Sequence, residues 1–101
     1  MTKTEVMLER EKLLRVKWRD EGDGYFSLTG YGRFSAVAYV ALPKGHIDIG
    51  KKYDDLEPDV NGGLTFGEDN VFGWDYSHFQ NFGTPNEHIK NAIEYFKRRT
   101  T

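Results

Sequence analysis

The chain has 101 residues, no cysteine and a formal net charge of -2 at pH 7. That length suffices for one domain with its own core and no covalent staple. The missing thiol excludes disulfides and thiolate metal sites, and charges of both signs are interspersed, which argues against an electrostatic grip on nucleic acid. No apolar run approaches the roughly 20 residues that span a bilayer. The N-terminus is charged from Lys3 onward and shows no signal-peptide pattern, so a cytoplasmic protein is expected.

Thr2 followed by Glu5 has the spacing of a capping box, and a helix is expected over residues 3–13. Val6, Met7, Leu13 and Leu14 would form its apolar stripe. Leu14, Val16 and Trp18 alternate with Arg15 and Lys17, a strand pattern that predicts a first strand over 14–19. Glu21-Gly22-Asp23-Gly24 reads as a turn into a second strand over 25–29, paired to the first as a hairpin and ended by Gly30-Tyr31-Gly32. Residues 34–42 make the strongest strand. Its unbroken apolar run from Ala36 to Leu42 suits a strand covered on both faces, and Pro43-Lys44-Gly45 stops it.

The stretch 46–60 is less regular, with one helical turn expected over 53–58 and ended by Pro58. Two short strands follow over 64–66 and 71–76, joined by a turn at 67–70, with residues 81–83 as loop. The last helix has the clearest signature. Thr84 caps it, Pro85 takes the first helical position and Glu87 completes the box. Ile89, Ala92, Ile93 and Phe96 then fall on one stripe. His88 is placed on the polar face, in solvent. Lys97-Arg98-Arg99, the one basic cluster, reads as a cationic helix end. The fold class is therefore α+β: an antiparallel sheet of four to five strands flanked by N- and C-terminal helices.

Chemistry concentrates in residues 61–82, NGGLTFGEDNVFGWDYSHFQNF, where aromatic, glycine and ionisable residues alternate. The polar candidates are His46, Asp48, Asp54, Asn61, Asp75 and His78. A carboxylate with an imidazole is the usual acid–base or metal pair. At spacing three on a regular strand, however, Asp75 and His78 point to opposite faces. The plainer reading is that they hydrogen-bond loop backbone, such as Gly62-Gly63, and hold the irregular half together. Gly62-Gly63 leads into a strand and not a helix, so it reads as a tight turn or a modest anion nest and not as a phosphate loop. Tyr31, Phe34, Tyr53, Phe66, Phe72, Trp74, Tyr76, Phe79 and Phe82 exceed what a small core needs. Some should be exposed and available for stacking or docking. Basic residues are not interleaved with the aromatics, which argues against direct nucleic-acid binding.

Residues 31–80 resemble a family of small, largely uncharacterised proteins of phages and prophages. The matching residues are Tyr39-Val40, Pro43, His46, Gly50 and Tyr53-Asp54, then Gly62-Gly63-Leu64-Thr65-Phe66 and Gly73-Trp74-Asp75-Tyr76-Ser77-His78. Asn61 stands where the family pattern has His, and Gln80 and Asn81 stand where an acidic residue often closes it. The departure at Asn61 weakens a catalytic or metal reading. The resemblance implies a viral accessory protein in the host cytoplasm, of a kind that commonly antagonises host defence.

The expectation is thus a binding protein, more binder than enzyme: a host-defence antagonist, anti-CRISPR-like, inhibiting an effector protein. Binding is assigned to His46, Tyr53, Asn61, Trp74, Asp75, Tyr76 and His78, with no catalytic, metal or cofactor assignment. The partner is a host effector complex or a small nucleotide, no membrane is involved, and a homodimer is left open. Two alternatives stand beside this: a nucleotide-sequestering protein with aromatics stacked on a base, and a small hydrolase using His46, Asp75 and His78.

Overall fold

An apolar strand with no polar face must lie inside a sheet and be covered on both sides. That is the position of Ala36–Ala41 (β3) in the computed structural model, which describes residues 3–77 and 83–99. Around it the chain forms α1 (Glu5–Leu14), β1 (Arg19–Gly22), β2 (Tyr25–Tyr31), a 3-10 turn (Tyr53–Asp55), β4 (Phe66–Glu68), β5 (Val71–Asp75) and α2 (Pro85–Lys97). All pairings are antiparallel, in the order β1-β2-β3-β5-β4. The protein is α+β, a five-stranded antiparallel sheet with N- and C-terminal helices.

Alternation along β3 splits the core in two. Ala38 and Val40, with Phe72 and Trp74 of β5, face α2 and meet Ile89, Ala92, Ile93 and Phe96. Leu56, Val60 and Leu64 of the irregular segment close this side. Tyr39 and Ala41, with Val71 and Leu28, face α1 and meet Val6, Met7 and Trp18. Gly73 is required where β5 passes under Tyr39, because a Cβ there would overlap the Tyr39 ring.

The C-terminal helix begins as the sequence predicts: Thr84 Oγ1 accepts from Glu87 N at 3.2 Å and Pro85 opens the helix. The N-terminal region differs. Thr4, not Thr2, caps α1, accepting from Met7 N and donating to Asn70 Oδ1 at 2.8 Å. The helix ends at Arg15 in the left-handed region, φ 59. Trp18 then folds back: its indole donates to Met7 O at 2.8 Å and its backbone N–H to the Glu11 carboxylate at 3.0 Å. The first strand therefore starts at Arg19, and the alternation over 14–19 belongs to a helix end plus a returning loop. Leu13 is 64% exposed, and the buried polar Glu11 takes its place in the stripe.

The β1–β2 turn is the two-residue pair Asp23-Gly24, both at positive φ, which suits the twist of a hairpin. Gly24 is also needed for space, since a Cβ there would lie 2.8 Å from Pro43 Cβ. β2 runs through Gly30 to Tyr31, longer than expected, because its ladder with β3 continues from Phe26↔Ala41 to Tyr31↔Ala36. β4 is shifted to Phe66–Glu68 from the expected 64–66. No described helix is long and apolar enough to cross a membrane.

Ile93 is buried between α2 and the sheet. Ile93→Ala should cost about 2–4 kcal/mol, read as a lowered denaturation midpoint, and an unchanged midpoint would contradict this packing. Gly73→Ala should destabilise the protein through the clash with Tyr39.

Candidate functional site

The aromatic side chains divide between core and surface. The β2–β3 hairpin ends in Gly32-Arg33-Phe34-Ser35, closed by Gly32 N donating to Ser35 O at 2.8 Å. Tyr31 and Phe34 are 84% and 87% exposed, the most open large apolar side chains among the described residues. The Arg33 guanidinium lies 5.6 Å from the centre of the Phe34 ring, within cation–π range. Beneath the tip are six consecutive ladder pairs between β2 and β3, so a Tyr-Arg-Phe group is held on a rigid support.

Trp74, expected at the binding surface, is 1% exposed. Facing α2 from β5, it donates its indole N–H to the Tyr76 hydroxyl at 3.0 Å. That hydroxyl lies 2.7 Å from His88 Nδ1, and the two rings stack at 5.7 Å. Trp74 can only donate to this hydroxyl, and the direction of the Tyr76–His88 bond follows the imidazole tautomer. Burial pushes the Tyr76 hydroxyl above its usual range, partly offset by the Trp74 hydrogen bond, and keeps it protonated. His88 is therefore not solvated. It is buried against β5, because the apolar arc of α2 is wider than the stripe through Ile89 and Ile93.

Asp75, half-buried at the end of β5, accepts from Ser77 N at 3.2 Å and Ser77 Oγ at 2.7 Å, a local turn that stops the strand. Its other oxygen accepts from Thr65 Oγ1 at 3.4 Å. The carboxylate thus accepts from main chain beyond the strand, as expected, though at Ser77, with the Ser77 and Thr65 hydroxyls as further partners. Asn61 is buried and donates through Nδ2 to Asp75 O at 3.3 Å. Tyr53 is exposed on the 3-10 turn, with Asp54 beside it. His78, and with it the Asp75–His78 pair, lies outside the described residues, as do Phe79 and Phe82.

His46 belongs to a different cluster. Its Nδ1 accepts from Asp48 N at 3.0 Å, which places the proton on Nε2, and Nε2 donates to Phe96 O at 2.8 Å. Both nitrogens are thus engaged by main chain, the second at the carbonyl-rich end of α2. Asp48 is fully buried. Arg99 grips it with two bonds, Nε to Oδ2 at 2.8 Å and an Nη to Oδ1 at 3.1 Å, and Lys51 Nζ lies 2.9 Å from Oδ1. Burial raises the Asp48 carboxyl, but the Arg99 and Lys51 hydrogen bonds and charges outweigh it, so the group sits below the ordinary carboxylate range. Arg99, expected only to complement the helix end, is the clamp of this cluster. No local spacing announces a pairing across 51 positions of chain.

Arg33 is the surface residue that sequence reasoning missed. Its only signal was the Gly-Tyr-Gly-Arg-Phe run between two strands. Among the described residues no three of His, Cys, Asp and Glu are grouped so as to hold a metal ion. Comparison of the chain with protein-family models, with curated proteins and with solved structures gave no match in any of the three.

Glu11 behaves as Asp48 does: burial raises it, and Lys3, the Trp18 N–H and Lys17 outweigh that and lower it. A carboxyl lower in the folded than in the unfolded chain adds stability above the unfolded value, ~4, and loses it as pH falls through the folded value. The melting temperature should therefore hold from neutral pH down to about 5 and fall below about 4. In Asp48→Asn the midpoint should be lower at neutral pH and its acid slope shallower. An acid slope identical to wild type would remove Asp48 from this account.

Proposed function

We propose that the protein is a non-enzymatic binding protein that engages a partner protein through the β2–β3 hairpin tip. As a host-defence antagonist it would act by stoichiometric association with a host effector. The observation that carries this reading is the exposed Tyr31-Arg33-Phe34 group on a rigid hairpin. Tyr and Arg are the side chains most enriched among residues that dominate protein–protein binding energy, and aromatic rings are enriched at interfaces generally. A tip already held by its ladder loses little entropy on docking.

The binding surface so assigned differs from the one expected between His46 and His78. Trp74 has no exposed face on which a nucleotide base could stack. A hydrolase using His46 would first have to break bonds to Asp48 N or Phe96 O, since neither ring nitrogen is open to a substrate. Both observations favour the binder over its two rivals.

Pull-down from a bacterial lysate with wild type and with the Tyr31→Ala/Phe34→Ala double variant tests the proposal. A stoichiometric protein partner should be retained by wild type. The double variant should lose about 2 kcal/mol or more of affinity, roughly 30-fold in Kd. Its melting temperature should stay close to wild type, because both rings are in solvent. Equal retention by the variant, or turnover of the target at a tenth of its concentration, would overturn the reading.

A further inference from the structure

The sheet extends past α2 on one side. The helix packs mainly on β3 and covers the near end of β2 at Tyr25 and Ser27, so β1, at Arg19 and Glu21, and the far end of β2, at Thr29 and Tyr31, are left as the open floor of a step. Three open depressions follow this step and share residues, forming one trough. Asn86 lines all three, Thr29 two and Arg19 two. The most voluminous of the three, about 510 Å³, is lined by Arg19 and Lys90. The far end is apolar, made by Tyr31, Ala36, Val37 and Pro85, and reaches the base of the hairpin tip. A helix of this length, ~1.5 Å per residue, gives a trough of roughly 20 Å, about six residues of extended chain.

The charge of the lining opposes that of the molecule. Four cations, Lys17, Arg19, Lys90 and Lys97, line it with two carboxylates, Glu21 and Glu94, and Lys17 is shared with Glu11, 3.9 Å away. Glu21 already accepts from Ser27 Oγ at 2.6 Å, and Lys97 pairs with Asp23 at 3.0 Å. Arg19 and Lys90 have no ion-pair partner among the described residues. The Asn86 side chain carries both a donor and an acceptor, as a passing main chain requires.

We infer that the trough holds an extended, acidic peptide segment of the partner protein, about six residues long, with an apolar residue at the Tyr31 end. The inference rests on the binding reading above and names the partner's chemistry. Carboxylate side chains would meet Arg19 and Lys90, and Asn86 would hold the backbone. The terminal apolar side chain would sit against Tyr31 and Pro85, beside the hairpin tip that engages the body of the partner. Glu21 and Glu94 in the lining disfavour a nucleic-acid backbone, in which every residue is anionic.

Fluorescence anisotropy of a labelled peptide, five acidic residues followed by Leu, is the direct test. Wild type should bind it saturably, and Arg19→Glu/Lys90→Glu should weaken binding at least about tenfold, in line with charge reversal at a desolvated contact. Lys44→Glu/Lys52→Glu makes the same change in net charge at exposed positions outside the trough, and should leave binding intact. Equal weakening by both pairs, equal binding of a lysine-substituted peptide, or equal binding of a thymidine hexanucleotide would overturn the inference. Phe34→Ala separates it from the hairpin reading, because that ring does not line the trough. Peptide binding kept in Phe34→Ala while the protein partner is lost supports both proposals. Peptide binding kept in the trough variant while Phe34→Ala loses the partner overturns the trough and leaves the hairpin tip standing.

Discussion

β3 has no face it can show to water, and the rest of the molecule follows from covering it. Ala38 and Val40 on one side and Tyr39 and Ala41 on the other each need an apolar layer. One antiparallel sheet supplies the neighbours β2 and β5, and one helix supplies each lid. α2 supplies most of its lid because four of its positions are apolar on one stripe, and Leu56, Val60 and Leu64 complete that side. α1 supplies less, with only Val6 and Met7 well buried, so Trp18 returns from beyond the helix to finish the layer. The hook from the Trp18 indole to Met7 O thus does by tertiary contact what a third apolar helical turn would have done.

The polar groups inside serve the same end. A helix lid needs its ends fixed as well as its face, and each fixing bond here joins a side chain to a distant part of the chain. Thr4 caps α1 and donates to Asn70, whose amide donates to Leu42 O at the end of β3. Tyr76 holds His88 near the start of α2, and His46 holds Phe96 O near its end. Asp48 is the costly member, a buried carboxylate that only Arg99 and Lys51 make tolerable. These bonds specify where the two helices sit more than they add net stability, since each exchanges a water partner for a protein one.

Aromatic residues divide between the two tasks. Phe72, Trp74 and Phe96 fill the α2 side, and Tyr39 and Phe66 meet edge-on at 5.4 Å on the α1 side beneath the Arg10 guanidinium. Tyr31 and Phe34 do neither and lie at the hairpin tip. Their exposure costs apolar hydration that no packing among the described residues returns, and association with a partner would recover it.

Local pattern by itself determined the class of fold, the central place of β3 and the whole of α2 with its Thr84 cap, because periodicity and capping chemistry act within a few residues. It also showed that aromatics were in excess. It could not decide which of them were outside: Trp74 and Phe34 look alike as apolar residues in strand-like runs. Only the ladder register, which turns Trp74 toward α2 and leaves Phe34 beyond the last β2–β3 pair, separates them. The same holds for the polar candidates. His46 and Asp48 are two residues apart and read as a site, yet what they do is set by Phe96 and Arg99, some fifty positions away. Tertiary structure decided those roles, since a hydrogen-bond partner brought by chain return leaves no trace in local spacing.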